Sequence, residues 1–354
     1  MSQKEVDRKR QSTDEGGFTL IEVMIAVVIT AVISAAAFTI LTTTNKSLRA
    51  NEQTVDTQQN VRIAMELMSR DIKMAGFGNP GVAIGNCTYP IMPSDNTPGG
   101  ADTGSDSVQL LVPTTKATGT LWQLQNATVS SGATQITLKA GAVADMVASG
   151  LATGSYVSVN GAHTAVVNTL SAGSNTIDIA IPAPIWFPVD AQVYLLQCIR
   201  YQVVTNPATC GSSEPCLTRG VAGVTVGPSA EAPIVEGIEE IQLAYACDGC
   251  VAAINGGVPD RVIDNQGGAA GFDQADFVSD GVWTAAPRTP DKIQLVQLSL
   301  VARQPKADLG MGETTQATIG SQSLVISPDR TLAADSNHRR RVLTKTIETR
   351  NVGL

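Results

Sequence analysis

The sequence predicts an α+β chain: one long N-terminal helix packed on an antiparallel β-sheet, with an inserted β-rich subdomain. Three observations carry this. No proline or glycine interrupts residues 18–75. Beyond residue 79, short alternating runs recur at strand spacing without helical stretches between them, which favours antiparallel pairing. The segment at about residues 114–190 shifts to Gly, Ser, Thr and Ala, the composition of a separate β-rich insertion.

Taken in order, residues 1–17 read as a charged leader. Residues 18–41 are apolar apart from a few hydroxyls and one carboxylate, Glu22. At ~1.5 Å per helical residue, this run reaches the roughly 20 residues that cross a bilayer core. Residues 45–75 are polar but carry Val61, Met65, Met68, Ile72 and Ala75 at alternating spacings of four and three, a stripe expected to face a globular head. Gly76, Gly78 and Pro80 end the helix, so the predicted element covers residues 18–78. The head occupies residues 79–354. Its strands are expected at 108–112, ending at Pro113, then at 135–139, 156–159, 164–167, 175–181, 192–204, 238–245, 293–302 and 341–350. Asn160-Gly161 suits a hairpin turn. Residues 248–281 form a Gly/Asp-rich loop of weak periodicity, and 305–319 a second irregular stretch.

Composition bounds the function. The chain has 354 residues and a net charge of −8, and about 300 residues remain beyond the leader and the apolar run, enough for one large core or two modest ones. The acidic balance argues against nucleic acid as a partner, since phosphates need clustered cations. The one dense basic run, His338-Arg339-Arg340-Arg341, reads as the solvated flank of a strand. Two histidines and no nucleophile motif leave no catalytic constellation, so no enzyme activity and no cofactor are expected.

Glu22 needs a reason to lie in an apolar helix, because a carboxylate there costs on the order of 3 kcal/mol in lipid. Cleavage between Gly17 and Phe18 supplies one. The new Phe18 amine is a cation four residues before Glu22, and the amine of a neighbouring copy serves equally well. A secretory signal peptide cut after Ala35-Ala36-Ala37, before Phe38, competes with this reading but leaves Glu22, Asp14 and Glu15 unexplained. An uncleaved anchor explains neither Glu22 nor the paired glycines Gly16 and Gly17.

Leader cations favour a cytoplasmic N-terminus and an exported head in an oxidising space. The six cysteines, Cys87, Cys198, Cys210, Cys216, Cys247 and Cys250, therefore read as disulfides. Spacing alone does not choose the connectivity. Closeness along the chain favours Cys210 with Cys216 and Cys247 with Cys250, which leaves Cys87 for Cys198. The C-x-x-C spacing of Cys247 and Cys250 also admits zinc or redox chemistry, but no second tight ligand pair and no βαβ setting accompany it. Asp260, Asp264, Asn265, Asp273, Asp276 and Asp280 offer oxygen ligands of the kind calcium takes, without EF-hand spacing; the plain alternative is a solvated acidic loop.

The run Gly17-Phe18-Thr19-Leu20-Ile21-Glu22, continuing through Val23-Met24-Ile25-Ala26, resembles the class III signal of type IV pilins and type II secretion pseudopilins. The head resembles the PilW family of minor type IV pilins, related to minor pseudopilin J, at residues 59–78, 233–242, 296–303 and 340–351. The resemblance implies a type IV pilin-like fold, prepilin peptidase cleavage after Gly17 and N-methylation of Phe18. It also implies a subunit role in assembly initiation or a tip complex. The implied partners are the peptidase, other minor pilins, the major pilin, the inner membrane and a pilus-tip adhesin. The implied location is a single pass through the inner membrane with a periplasmic head, followed by incorporation into the extracellular pilus. A minor pseudopilin of a secretion system and an adhesive or ligand-binding tip module are the alternatives.

Overall fold

The computed structural model describes residues 17–79, 81–96, 103–114, 122–125, 129–179, 186–222, 230–268, 271–279, 281–305, 324–327, 330–332 and 338–352. The leader and Asp280 lie outside these residues. The chain divides into two compact units, Met1–Glu52 and Gln53–Leu354, and helix α1 (Leu20–Met74) begins in the first and ends in the second.

In the first unit, no charged residue follows Glu22 until Lys46, and the apolar side chains are open, with Ile21, Val27 and Phe38 each more than 60% exposed. The helix is long and apolar enough to cross a membrane. Its hydroxyls are satisfied locally: Thr30 donates to the Ala26 carbonyl and Thr39 to that of Ala35. Such back-bonding hides polar groups from an apolar surrounding.

In the second unit, the α1 stripe of Val61, Ala64, Met65, Met68, Ile72 and Ala75 is buried in the main core. The helix stops at Met74, four residues before the expected limit. Gly76 adopts φ +82° and donates its N–H to the Leu111 carbonyl, and a Cβ there would lie 2.4 Å from the Asn351 carbonyl oxygen. Only glycine fits both the backbone angle and the space.

The strands follow in chain order. They begin with β1 (Ile91–Ser94), β2 (Ser107–Thr114), β3 (Trp122–Gln123) and β4 (Gln135–Thr137). After helix α2 (Ala142–Ala148) come β5 (Tyr156–Val159), β6 (His163–Ser171), β7 (Thr176–Ile179) and β8 (Gln192–Val204). Helix α3 (Pro207–Cys210) leads to β9 (Cys216–Val221), β10 (Ala232–Glu236), β11 (Ile238–Cys247) and β12 (Ile293–Arg303). The chain closes with β13 (Leu324–Ser327), β14 (Arg330–Leu332) and β15 (Arg340–Glu348).

Strand β8 is the axis of the larger sheet. On one edge it pairs with β2 and β3; on the other, its first half pairs with β5 and its second half with β9. All these pairings are antiparallel. The first half belongs to a second core, in which Val193 and Leu195 pack with Trp122, Ile136, Met146 and Val157. The second half places Ile199 and Tyr201 in the main core beside α1. The insertion thus has a core of its own, built on a strand that it shares with the rest of the head. The β5–β6 hairpin turns through Asn160 and Gly161, both at positive φ, and Phe77 lies beneath Gly161 where a Cβ would collide with its ring.

A separate three-stranded sheet runs β11-β12-β15. Arg340 of the basic run is tied to Glu239 by two hydrogen bonds of 2.8 and 2.7 Å. Arg330 holds Glu240 in the same bidentate way.

Two expectations need correction. Strand β2 does not end at Pro113 but continues to Thr114. The Leu111 N–H donates to the Pro90 carbonyl, away from β8, and Pro113 shares that orientation two residues on. Its missing N–H therefore removes no bond to β8. The insertion is also not free of helix. Helix α2 buries Ala142, Val143 and Met146, and begins after a left-handed Gly141 that offers no side-chain cap.

Candidate functional site

The N-terminal signal stands open: Gly17 and Phe18 precede α1, and Phe18 is 88% exposed. Thr19 is the N-cap of the helix. Its backbone N–H and its hydroxyl both donate to Glu22 Oε2, at 2.9 and 3.0 Å, while the Glu22 N–H donates back to the Thr19 hydroxyl at 3.3 Å. This reciprocal arrangement is a capping box. It satisfies otherwise orphaned first-turn N–H groups and places a carboxylate at the positive end of the helix dipole. In the intact chain, Glu22 thus bonds to Thr19, and Phe18 lies outside the helix.

At the other end of α1 is a buried ionic seat that sequence reasoning missed. Asp71 Oδ2 accepts from the Tyr201 hydroxyl at 2.7 Å and from Arg219 Nε at 2.9 Å. The guanidinium also lies 5.9 Å from the Tyr201 ring centre. Burial, followed by the Asp71 charge, pushes the Tyr201 phenol far above its ordinary value, so it stays a donor. A signal was available. Asp71 falls seven residues after Ala64, within the buried stripe, where an unpaired carboxylate is not tolerated. Its partners on β8 and β9 lie 130 and 148 residues away.

The six cysteines are joined as Cys87–Cys198, Cys210–Cys216 and Cys247–Cys250. Cys247 and Cys250 form, with Asp264, a buried triad whose ligand-type atoms lie within 4.8 Å of one another. The Asp264 carboxylate accepts from the N–H groups of Gly249, Cys250 and Val251 at 2.9 to 3.1 Å. The triad is a clasp that closes the start of the Gly/Asp loop.

The remaining loop carboxylates are used in the same way. Asp260 accepts from the Val262 N–H, and Asp273 from that of Ala275. Asp276 accepts from Gln266, Gly267 and Asp273 N–H groups, which hold its carboxyl below the ordinary range, Asp273 contributing most. Asn265 donates to the Gly271 carbonyl. Among the described residues, no three of these acids bring their oxygens within 4.8 Å of one another. Their lone pairs meet backbone N–H groups of the loop.

A family model described as Prokaryotic N-terminal methylation motif matches residues 13–38. A second, described as Type IV Pilus-assembly protein W, matches residues 200–351. Together these two matches support a PilW-family minor type IV pilin. The methylation motif implies prepilin peptidase processing and assembly with other pilins. The long N-terminal helix and the antiparallel sheets are the arrangement that the resemblance to type IV pilins implies, and the family is a structural one. The PilW match contains the second half of β8, Arg219, both Glu239 and Glu240, and the β11-β12-β15 sheet. The insertion and residues 59–78 lie outside it. Among solved structures, the chain is similar to the type IV-like pilin TTHA1219 from Thermus thermophilus. That match has 12% identity, covers 84% of this chain and 98% of that one, and has a TM-score of 0.34, too distant to carry functional weight. No curated protein matches the chain.

Proposed function

We propose that this PilW-family pilin is a subunit of the minor-pilin complex that initiates or tips a type IV pilus, with no substrate of its own. Prepilin peptidase cuts between Gly17 and Phe18, and the new Phe18 amine is methylated. Before assembly, residues 18–41 hold the chain in the inner membrane with the head on the periplasmic side. On assembly, the apolar face from Val23 to Leu41 exchanges lipid for neighbouring helices.

The observation that carries this reading is the Thr19–Glu22 capping box directly after an exposed Gly17-Phe18. Internal capping lets Glu22 reside in the membrane with its charge partly satisfied. Cleavage then creates an ammonium one residue before the Thr19 cap and four before Glu22, and Glu22 can pass from an internal partner to a charged one on its own or a neighbouring chain.

The test is the intact mass and N-terminal peptide of the membrane-extracted chain from its host. A chain beginning at Phe18, with or without one methyl, is the expected result; one beginning at Met1 or Phe38 overturns the reading. Glu22→Ala is expected to be cleaved normally but to enter pili poorly. Unchanged incorporation of that variant removes the proposed role of Glu22.

A further inference from the structure

The two outer edges of the β11-β12-β15 sheet are treated differently. On β11, residues 241, 243 and 245 turn their backbone away from β12, and each has a partner. Ile241 donates to the Ser105 hydroxyl and accepts from the Asp106 N–H, and Leu243 donates to the Asp106 carboxylate at 2.8 Å. Tyr245 exchanges both of its bonds with Val278, and the Cys247 carbonyl accepts from the Asp264 N–H. That edge is closed.

Strand β15 pairs with β12 over nine residues without a bulge. The Thr349 N–H donates to the Gln294 carbonyl and the Gln304 N–H to that of Arg339, which fixes the alternation: odd-numbered residues bond to β12. Val342, Thr344, Thr346 and Glu348 therefore turn their N–H and C=O groups outward. Among the described residues, none of these backbone groups has a hydrogen-bond partner, and Thr344, Lys345 and Thr346 are exposed. An open edge of this length is a template for one more strand.

The edge is also basic, in a chain of net charge −8. β15 runs beside α1. Arg62 shares one concavity with Arg341, Val342 and Leu343, and further along Asn351 donates to the Lys73 carbonyl at 3.3 Å. Arg62, Arg341, Lys345 and Arg350 are exposed, and no ion pair neutralises any of them among the described residues. Glu66 and Glu348 are the exposed acids beside them.

Resting on the pilin reading above, we infer that the open β15 edge receives an extended, acidic segment of a neighbouring pilus subunit as an added strand. Backbone pairing along Val342 to Glu348 supplies the contact, and the stripe of Arg62, Arg341 and Lys345 selects for negative charge. A second copy of this chain is disfavoured. Arg341 and Lys345 share one face of the strand and Glu348 lies on the other, so edge-to-edge pairing sets like charges against each other.

The test uses the full chain in its host with a photo-crosslinking amino acid at Thr346, and at the exposed loop residue Val262 as control. The expected result is a Thr346 adduct that maps by peptide sequencing to an acidic extended segment of another pilin and is absent from Val262. Its yield should fall about tenfold in R341E/K345E, the factor that ~1.4 kcal/mol of lost attraction gives. An unchanged melting temperature of that double variant confirms that the head remains folded. Adducts to a second copy, to lipid or to a basic or helical surface, or no adduct at all, overturn the inference. The N-terminal mass from the same sample separates the two ideas. A chain starting at Phe18, present in pili and lacking the adduct, defeats the edge alone; one retaining Met1 defeats both.

Discussion

The two parts of α1 are made of similar residues put to opposite uses. From Leu20 to Leu41, the apolar side chains run almost unbroken and stand exposed. From Gln53 onward they shrink to a stripe, and that stripe is buried. Helix propensity does not separate the parts, because neither contains proline or glycine. What separates them is the width of the apolar face. A stripe matches one protein core, whereas an all-round apolar surface has its match in lipid or in other helices.

The sharpest way to break this contrast is to truncate one apolar side chain in each part. Met68→Ala removes a fully buried side chain from the main core and should destabilise the head by about 3 kcal/mol. Val28→Ala, at a 62% exposed position, should leave the head's melting temperature unchanged. Equal effects in chemical denaturation would mean that the two parts are not distinct in kind. Next is the ionic seat. Asp71→Ala strands the Tyr201 hydroxyl and the Arg219 guanidinium, and should cost about 2 to 3 kcal/mol, below the fully buried range because Arg219 retains about a third of its exposure. Tyr201→Phe removes one hydrogen bond and should cost about 1 kcal/mol. The smallest effect lies outside α1. The Asp276 carboxyl is held below its ordinary value by backbone donors, so its contribution is present above the unfolded carboxylate pKa and lost as pH falls through the lowered folded one. Acid titration of the head, followed by fluorescence of Trp283, should show less pH dependence in Asp276→Asn, and no difference would remove Asp276 as a contributor.

Much of the architecture was legible because burial leaves a pattern. β8 was expected at residues 192–204 and occupies Gln192–Val204; a central strand buried on both faces is a long apolar run with turn residues at each end. β11, β12 and β15 lie within a few residues of their expected bounds for related reasons. β1 was not legible, since four residues with a central proline do not read as a strand. β9 contains Gly220, which admits the backbone of Glu231 where a Cβ would lie 2.4 Å away; that need is set by β10 and is invisible locally. The signal at Gly17 to Glu22 was readable because it is contiguous. The Asp71 seat joins three distant elements, so the sequence could show only that Asp71 lies in a buried stripe. The pairing of loop carboxylates with backbone N–H groups depends on turns that Gly-rich composition does not specify.

The Cys87–Cys198 bond spans 111 residues and encloses the whole insertion, entering before β1 and leaving in the middle of β8. Tension applied between α1 and β15 would cross from Cys87 to Cys198 through sulfur. The enclosed chain, about 370 Å if fully drawn out at ~3.4 Å per residue, bears none of that load. The insertion's core can therefore open or close without lengthening the subunit, and the subunit can be strained without unravelling the insertion.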